Sequence, residues 1–364
     1  MDIVELFKKI LSYRSITPDD DGAFFFLEEY LLDFEVIKQD IKGVKNRFFY
    51  KKFGDGEHLC FAGHIDVVPP GDGWESDPFT PTQKDGYIYG RGAQDMKSGL
   101  SAFVNACKMA KNFNGTLSML LTSDEEGDAK YGTVKMLEHL KSINFLPDFA
   151  IVAEPTCEEF FGDTIKIGRR GSINGVVILN GIQGHAAYPK KAKNPIDMIA
   201  KVLPNIAGVN LDEGDEDFEP SKFVITDIRA GMEVTNVTPK DLKMMFNIRN
   251  STKTTIDDVK EFVDRNFKDM DYTLSINQSA KPFITNRNSK VVRLMSEVIS
   301  NIVDIDPNLS TAGGTSDARF FGEFGIDTVE FGVKNDTIHA INERVEIDEL
   351  IKLEKIFKKL IEKF

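Results

Sequence analysis

The stretch "HLCFAGHIDVVPPGD", residues 58–72, decides how this chain is read. A short apolar run leads into His64 and Asp66, and Pro69, Pro70 and Gly71 then stop it. Such a run, closed by prolines, reads as a strand buried inside an α/β sheet. Side chains two apart on a strand face the same way, so His64 and Asp66 project together from its end. A carboxylate beside an imidazole fixes the tautomer and raises basicity, as the partners of metal-bound histidines do. A histidine satisfied within the core accounts for the same pair, so other residues must decide.

Upstream, "FEVIKQDI" (34–41) and "VKNRFFYKKF" (44–53) read as strands. Downstream, "DMKSGLSAFVNACKMAKNF" from Asp95 reads as a helix, "GTLSMLLTS" (115–123) as a strand, "YGTVKMLEHLKS" (131–142) as a helix and "DFAIVAE" (148–154) as a short buried strand. This alternation predicts a catalytic α/β sandwich with a mixed, largely parallel sheet. From Ser172 the pattern changes to βαββαβ, through "SINGVVILNG", "NPIDMIAKVLP", "SKFVITDIRAG", "DLKMMFNIRN", "TIDDVKEFVDRNF" and "DYTLSINQ". That order is ferredoxin-like and can fold on its own. The expected division is residues 1–171 with 284–364 as one domain, interrupted by 172–283 as another. The tail, with "NSKVVRLMSEVISNI", "TAGGTSDARFFGE", "DTVEFG" and a helix from Glu346, completes the first domain.

A length of 364 residues also favours two domains. The balance of 58 acidic against 45 basic side chains, net charge -13, argues against nucleic acid or an anionic membrane as partner. Cys60, Cys107 and Cys157 have no CxxC spacing, which argues against a thiolate metal site or disulfide framework and suits a reducing, cytoplasmic setting. The N-terminus has apolar residues at Ile3, Leu6, Phe7, Ile10 and Leu11, the spacing of an amphipathic helix and not of a signal peptide. No apolar run is long enough to span a bilayer.

Three polar clusters follow strands: His64 with Asp66, Asp124 to Glu126, and Glu154. Open α/β sheets bind ligands beyond the carboxyl ends of their strands, so these positions can converge. Asp95, in "GRGAQDMKSG", precedes a helix and reads equally as its N-cap. The GRG there lacks the spacing of a dinucleotide fingerprint. Glu125 and Glu126 are adjacent and can point in different directions, although a solvated acidic loop explains them as well. Carboxylates a few ångströms apart repel by roughly 1 to 4 kcal/mol per pair, and a bound divalent cation would relieve that.

The whole chain resembles the M20 family of co-catalytic metallopeptidases and deacylases. "GHIDVVPPGD", "YGRGAQDMK", "DEEG", "AEPT" and "IHAINE" carry the resemblance, in family order and at family-like separations. It implies two zinc ions per subunit, bridged by Asp95, one also held by His64 and Glu154 and the other by Glu126 and His339. Cobalt or manganese suits the same donors. It also implies Asp66 as support for His64, Glu125 as general base for amide hydrolysis, and a cis peptide between Asp95 and Met96. Where the family often has threonine between the histidine and aspartate of the first motif, this chain has Ile65, which faces away.

The resemblance implies further that residues 172–283 form a lid and homodimerisation domain, and that its His185 stabilises the oxyanion in a partner subunit. Arg169, Ser172, Asn236, Arg249, Gly314 and Thr315 match positions proposed to bind substrate. Arginine suits carboxylates because its planar fork binds them bidentately, and free N–H groups ahead of "DARFFGE" favour an anion. Structural roles, an interdomain salt bridge for Arg249 and a plain turn for Gly313–Gly314, account for these residues equally. Cys157, three residues past Glu154, reads as a bystander. The expected substrate is a small N-acyl amino acid. "GRRGSI" and "GGTSDARF" are most similar to members that hydrolyse N-succinyl-L,L-2,6-diaminopimelate to succinate and L,L-2,6-diaminopimelate. The alternatives are another family deacylase, such as one acting on acetylornithine, a carboxypeptidase-like relative, or a non-catalytic metal-binding scaffold dimer.

Overall fold

The computed structural model describes all 364 residues and divides them into two compact units. Met1–Gly168, Ile284–Ser310 and Ser316–Phe364 form the first, and Arg169–Phe283 with Thr311–Thr315 form the second. Residues 169–171 thus belong with the second unit, although the sequence reading put them in the first, and the 311–315 loop joins them there.

The first unit is built on an eight-stranded sheet. Its order is Glu35–Ile41, Val44–Lys52, Thr116–Thr122, His58–His64, Phe149–Val152, Asp327–Glu330, Thr164–Lys166 and Asn308–Ser310. The four strands from Thr116–Thr122 to Asp327–Glu330 run parallel, and antiparallel neighbours flank them. His58–His64 and Thr116–Thr122 are buried at every position, so they lack the apolar–polar alternation of a half-exposed strand. Glu35–Ile41 at the edge carries charges at Glu35, Lys38 and Asp40, which discourages pairing with a further strand.

Helix Lys97–Met109 lies against this sheet, buried from Lys97 to Cys107. Phe103 on it stacks with Phe61 at 5.7 Å between ring centroids, and Phe357 of helix Ile347–Lys363 meets Phe61 edge-on at 5.1 Å. Gly99 permits the close fit: a Cβ there would lie 2.1 Å from the carbonyl oxygen of Ala153. The helix start, next to Asp95, is thereby drawn against the strand end that carries Glu154. Helix Ile3–Leu11 buries the apolar face foreseen in its spacing, and Asp2 caps it by accepting the Glu5 N–H at 2.9 Å.

The second unit has a four-stranded antiparallel sheet in the order Phe223–Ala230, Asp241–Ile248, Ser172–Asn180, Tyr272–Ala280. That is the ferredoxin-like arrangement. Its own core includes Ile173, Val177, Phe223, Phe246, Val263 and Phe267. Helix Ile256–Phe267 begins at a capping box between Thr255 and Asp258. The single helix expected over 194–204 is instead two short ones, Pro195–Ala200 and Leu203–Ile206. Pro204 lacks an N–H and crowds the preceding turn, so the first helix cannot run on. No helix of the protein is long and apolar enough to cross a membrane.

Candidate active site

Because the central strands are parallel, their carboxyl ends share one edge of the sheet, and the loops leaving that edge bring the acidic and imidazole side chains together. His64 ends one strand, Glu126 and Glu154 follow two others, Asp95 precedes helix Lys97–Met109, and His339 lies beyond Asp327–Glu330. Asp95 stands at the centre. Its Oδ1 is 3.1 Å from His64 Nε2 and its Oδ2 3.3 Å from His339 Nε2. His339 Nε2 is also 2.9 Å from Glu126 Oε1, and His64 Nε2 is 3.9 Å from Glu154 Oε1. The Asp95–Met96 peptide is cis. Asp95 is not the helix cap: Met96 occupies that position and no side chain caps the helix.

The His64 ring is 1% exposed and has a defined orientation. Its Nδ1 lies 2.8 Å from the Asp66 main-chain oxygen, which can only accept. In the neutral ring the proton is therefore on Nδ1, and the Nε2 lone pair faces Asp95 and Glu154. The Asp66 carboxylate is farther from the ring, 3.6 Å from Nδ1. It accepts instead from Thr17 Oγ1 at 2.7 Å and from the backbone N–H groups of Glu125 and Glu126 at 3.4 and 3.2 Å. Asp66 thus supports His64 through its main chain and the acidic loop through its side chain.

The electrostatics describe a surplus of negative charge met by protons. Burial alone would lower the His64 pKa, but the Asp95 carboxylate and the charges of Glu154 and Asp66 hold it well above the ordinary histidine value. Hydrogen bonds to Asp95 and Glu126 raise His339 to about 10. Burial pushes Asp66 up to about 6, and pushes Glu154 well above the carboxylate range with help from the Asp95 charge. Glu125 is pushed well up by burial too, and the charges of Asp317 and Asp95 act the same way. Divalent cations fit this donor set. One ligand atom each from His64, Asp95 and Glu126 lie within 4.8 Å of one another, the two Asp95 oxygens face different imidazoles, and His64 has its lone pair aimed inwards.

The remaining candidates lie in the second unit. His185 is exposed, with its Nδ1 accepting the Ala187 N–H at 3.1 Å and its ring edge-on to Tyr188. Asn236 and Arg249 are exposed, and the Asn236 carbonyl accepts the Ala186 N–H at 2.9 Å. That bond ties Asn236 to the His185 turn. Arg169 is buried, donates to the Ala312 carbonyl at 3.0 Å, and packs so closely on Gly313 that a Cβ there would meet its guanidinium at 2.5 Å. Gly314 has open space where a side chain would project, and Thr315 follows it. Ser172 is buried, with its hydroxyl accepting from Asn247 at 3.1 Å.

Cys157 is buried, its thiol donating to the Gly332 carbonyl and accepting the Gly162 N–H, and burial pushes its pKa up to about 12. It is inert packing. Sequence reasoning missed Thr17, which sits 49 positions from the Asp66 it bonds and carries no local signal. It also missed Arg91 and Glu343, although both stand inside the quoted motifs "YGRGAQDMK" and "IHAINE". Arg91 offered one signal, a long cation between two glycines, and Glu343 offered none.

Comparison with known proteins places the chain in a family. The model of Peptidase family M20/M25/M40 matches residues 60–363. The chain is 66% identical over 364 residues to a protein of a Nitratiruptor species named succinyl-diaminopimelate desuccinylase, with all of both chains covered. It is 65% identical, again over the full length of both, to a protein of the same name from Nautilia profundicola. Among solved structures, aminopeptidase PepT from Bacillus cereus superposes with a TM-score of 0.82 at 22% identity, covering 99% of this chain and 97% of that one. The Bacillus subtilis YXEP protein, described as a dinuclear metal binding peptidase, gives a TM-score of 0.72 at 13% identity over 99% and 96% of the two chains. The chain belongs to peptidase family M20/M25/M40.

Proposed function

We propose that this chain hydrolyses N-succinyl-L,L-2,6-diaminopimelate to succinate and L,L-2,6-diaminopimelate. The observation that carries this reading is end-to-end identity of 61 to 66% with proteins named for that reaction, in a chain whose five candidate ligands and neighbouring acid all stand at one sheet edge. His64, Asp95 and Glu154 would hold one divalent cation, and Asp95, Glu126 and His339 a second, with zinc, cobalt and manganese all suited to these donors. Bound there, the cations supply Lewis acidity to the scissile carbonyl and lower the pKa of water.

Glu125 acts as general base. It takes a proton from the attacking water and delivers it to the departing amine, so the amide C–N bond breaks without a covalent enzyme intermediate. Burial, which raises its pKa, makes the carboxylate a stronger proton acceptor. Asp66 holds the loop that presents Glu125. In the second unit, Arg169, Ser172, Asn236, Arg249, Gly314 and Thr315 are assigned to the substrate's carboxylates and backbone-like groups. Arg249 has the exposure for that task, and Gly314 the open space. We assign homodimerisation to the same unit: Phe223–Ala230 is one of the two edge strands of its sheet and exposes Val224 and Ile228. His185 then stabilises the oxyanion of substrate held by a second copy of the chain. The three free, buried cysteines suit a reducing, cytoplasmic setting.

The test is an assay over a panel of N-acyl amino acids after chelation and reconstitution with zinc, cobalt or manganese. Turnover of the succinylated diaminopimelate, absent in chelator and absent with N-acetylornithine, is expected. Preference for N-acetylornithine would overturn the substrate assignment, and full turnover of exhaustively chelated protein would overturn the cation assignment.

A further inference from the structure

Behind Asp95 lies a buried ion pair that touches none of the candidate ligand side chains. Glu343 is 0% exposed and Arg91 2%. The Glu343 carboxylate accepts four hydrogen bonds, all from the loop that ends in Asp95. Oε2 receives Arg91 Nη1 at 2.7 Å and the Gly92 N–H at 3.0 Å. Oε1 receives the Gln94 N–H at 2.8 Å and the Asp95 N–H at 3.1 Å. The Glu343 main-chain oxygen takes a fifth donor from the same loop, the Gly90 N–H at 3.0 Å.

Arg91 reaches two other ligand-bearing loops. Its Nη2 donates at 3.2 Å to the main-chain oxygen of His339 and at 3.2 Å to that of Pro70, in the loop that follows His64. Its guanidinium carbon lies 5.2 Å from the centre of the Trp74 ring. Gln94 adds two more stitches, donating to Asp336 Oδ1 at 2.5 Å and accepting the Thr337 N–H at 2.8 Å. His339 itself has a backbone φ of +58°, a conformation that a non-glycine residue keeps only where its surroundings hold it.

We propose that Arg91 and Glu343 are positioning residues for the two-cation site, fixing Asp95 and His339 relative to each other through their main chains. The inference rests on the cation assignment above. A pair serving only fold stability has no need to spend its hydrogen bonds on the residues flanking two ligands. Here the acid's bonds end at the Asp95 N–H and the guanidinium's at the His339 carbonyl. The positions of both imidazole-facing oxygens of Asp95 follow from where that backbone is pinned. Outer contacts of this kind orient ligands, and their loss typically weakens metal binding about 10- to 100-fold.

The test is titration of metal-free protein with Co²⁺, followed by its visible absorption, for the wild type, Glu343→Gln, Arg91→Lys and Gln94→Ala. Thermal unfolding of each metal-free variant is measured alongside. Glu343→Gln places an amide donor against donors. Arg91→Lys keeps the charge opposite Glu343 but loses the planar fork that spans His339 and Pro70. Expected are two Co²⁺ per wild-type chain, about 10- to 100-fold weaker binding with an altered visible band in both variants of the pair, and a smaller effect in Gln94→Ala. Turnover should fall mainly in kcat. Where Glu343→Gln does not fold, Arg91→Lys and Gln94→Ala decide. A folded variant that loses thermal stability yet binds Co²⁺ with wild-type affinity and spectrum overturns the inference. A wild type that binds no Co²⁺ overturns the cation assignment instead.

Discussion

The Asp66 carboxylate accepts the backbone N–H of Glu126 at 3.2 Å, so the strand end that carries one imidazole also fixes the loop that carries Glu125 and Glu126. The same oxygen receives Thr17 Oγ1 at 2.7 Å, and the other receives the Glu125 N–H at 3.4 Å. Asp66→Ala removes all three acceptor contacts while leaving the main-chain bond to His64. Turnover and cation affinity should both fall by about 10- to 100-fold. Asp66→Asn, which keeps one acceptor oxygen, should lose less. Equal, wild-type behaviour of both variants in kinetics and Co²⁺ titration would remove Asp66 from the machinery.

Glu125 offers the sharpest separation of chemistry from metal binding. Its half-buried carboxyl lies close enough to His64 and Asp95 to feel their charges, yet it belongs to neither proposed ligand set. Glu125→Ala should lower kcat by about 10²- to 10⁴-fold, the usual contribution of a positioned base. Metal content, measured by elemental analysis, should stay at the wild-type value. Undiminished turnover would end the base assignment, and loss of metal would recast Glu125 as a ligand.

The central strands were legible because burial on both faces writes an unmistakable apolar run, as in residues 58–64 and 116–122. His64, Glu126 and Glu154 were legible because each ends or follows such a strand, whereas Asp95 and His339 were legible only within the motifs that carry the family resemblance. Other features had no local signature. Strands Thr164–Lys166 and Asn308–Ser310 are three residues each, too short for periodicity, and pair with each other across 144 positions. Thr17 and Asp66 likewise meet only through tertiary packing. The break at Pro204 was visible in the sequence but outweighed by the apolar spacing around it. Asp95 looked like an N-cap because an aspartate ahead of a helix usually is one. Its carboxylate turns instead towards two imidazoles, a preference that helix propensity does not encode.

His185 is exposed at the end of the short strand Gly184–His185, and its neighbour Ala186 is tied to the Asn236 carbonyl. If it donates to a developing oxyanion, His185→Ala should cost about 10²- to 10³-fold in kcat, with metal content and thermal stability unchanged. An exposed histidine contributes little to folding, so a stability loss is not expected. Mixing this variant with Glu125→Ala adds a check on the dimer. Each lacks a different part, and heterodimers of the two should recover activity that neither homodimer has. No recovery on exchange of subunits would place His185 outside a shared site.

His58 gives a pH prediction free of the metal cluster, because it lies at the opposite end of the strand that finishes at His64. Its ring packs against Phe145 and Phe48, its Nε2 lies 2.8 Å from Ser118 Oγ, and its backbone N–H donates to Asp148. Burial lowers its pKa to about 4, against a partial upward pull from the Asp148 charge. In the unfolded chain the ring titrates at about 6.5. Between these values the unfolded state binds a proton that the folded state refuses, so stability is complete above the upper value and falls as pH drops towards the lower one. At pH 5 the loss is about 2 kcal/mol. Denaturant unfolding at pH 8 and pH 5 should show it, and His58→Gln, whatever its absolute stability, should show a difference between the two pH values smaller by about that amount. An identical pH dependence in the variant would mean that the His58 ring takes up its proton as readily in the folded protein as in the unfolded chain.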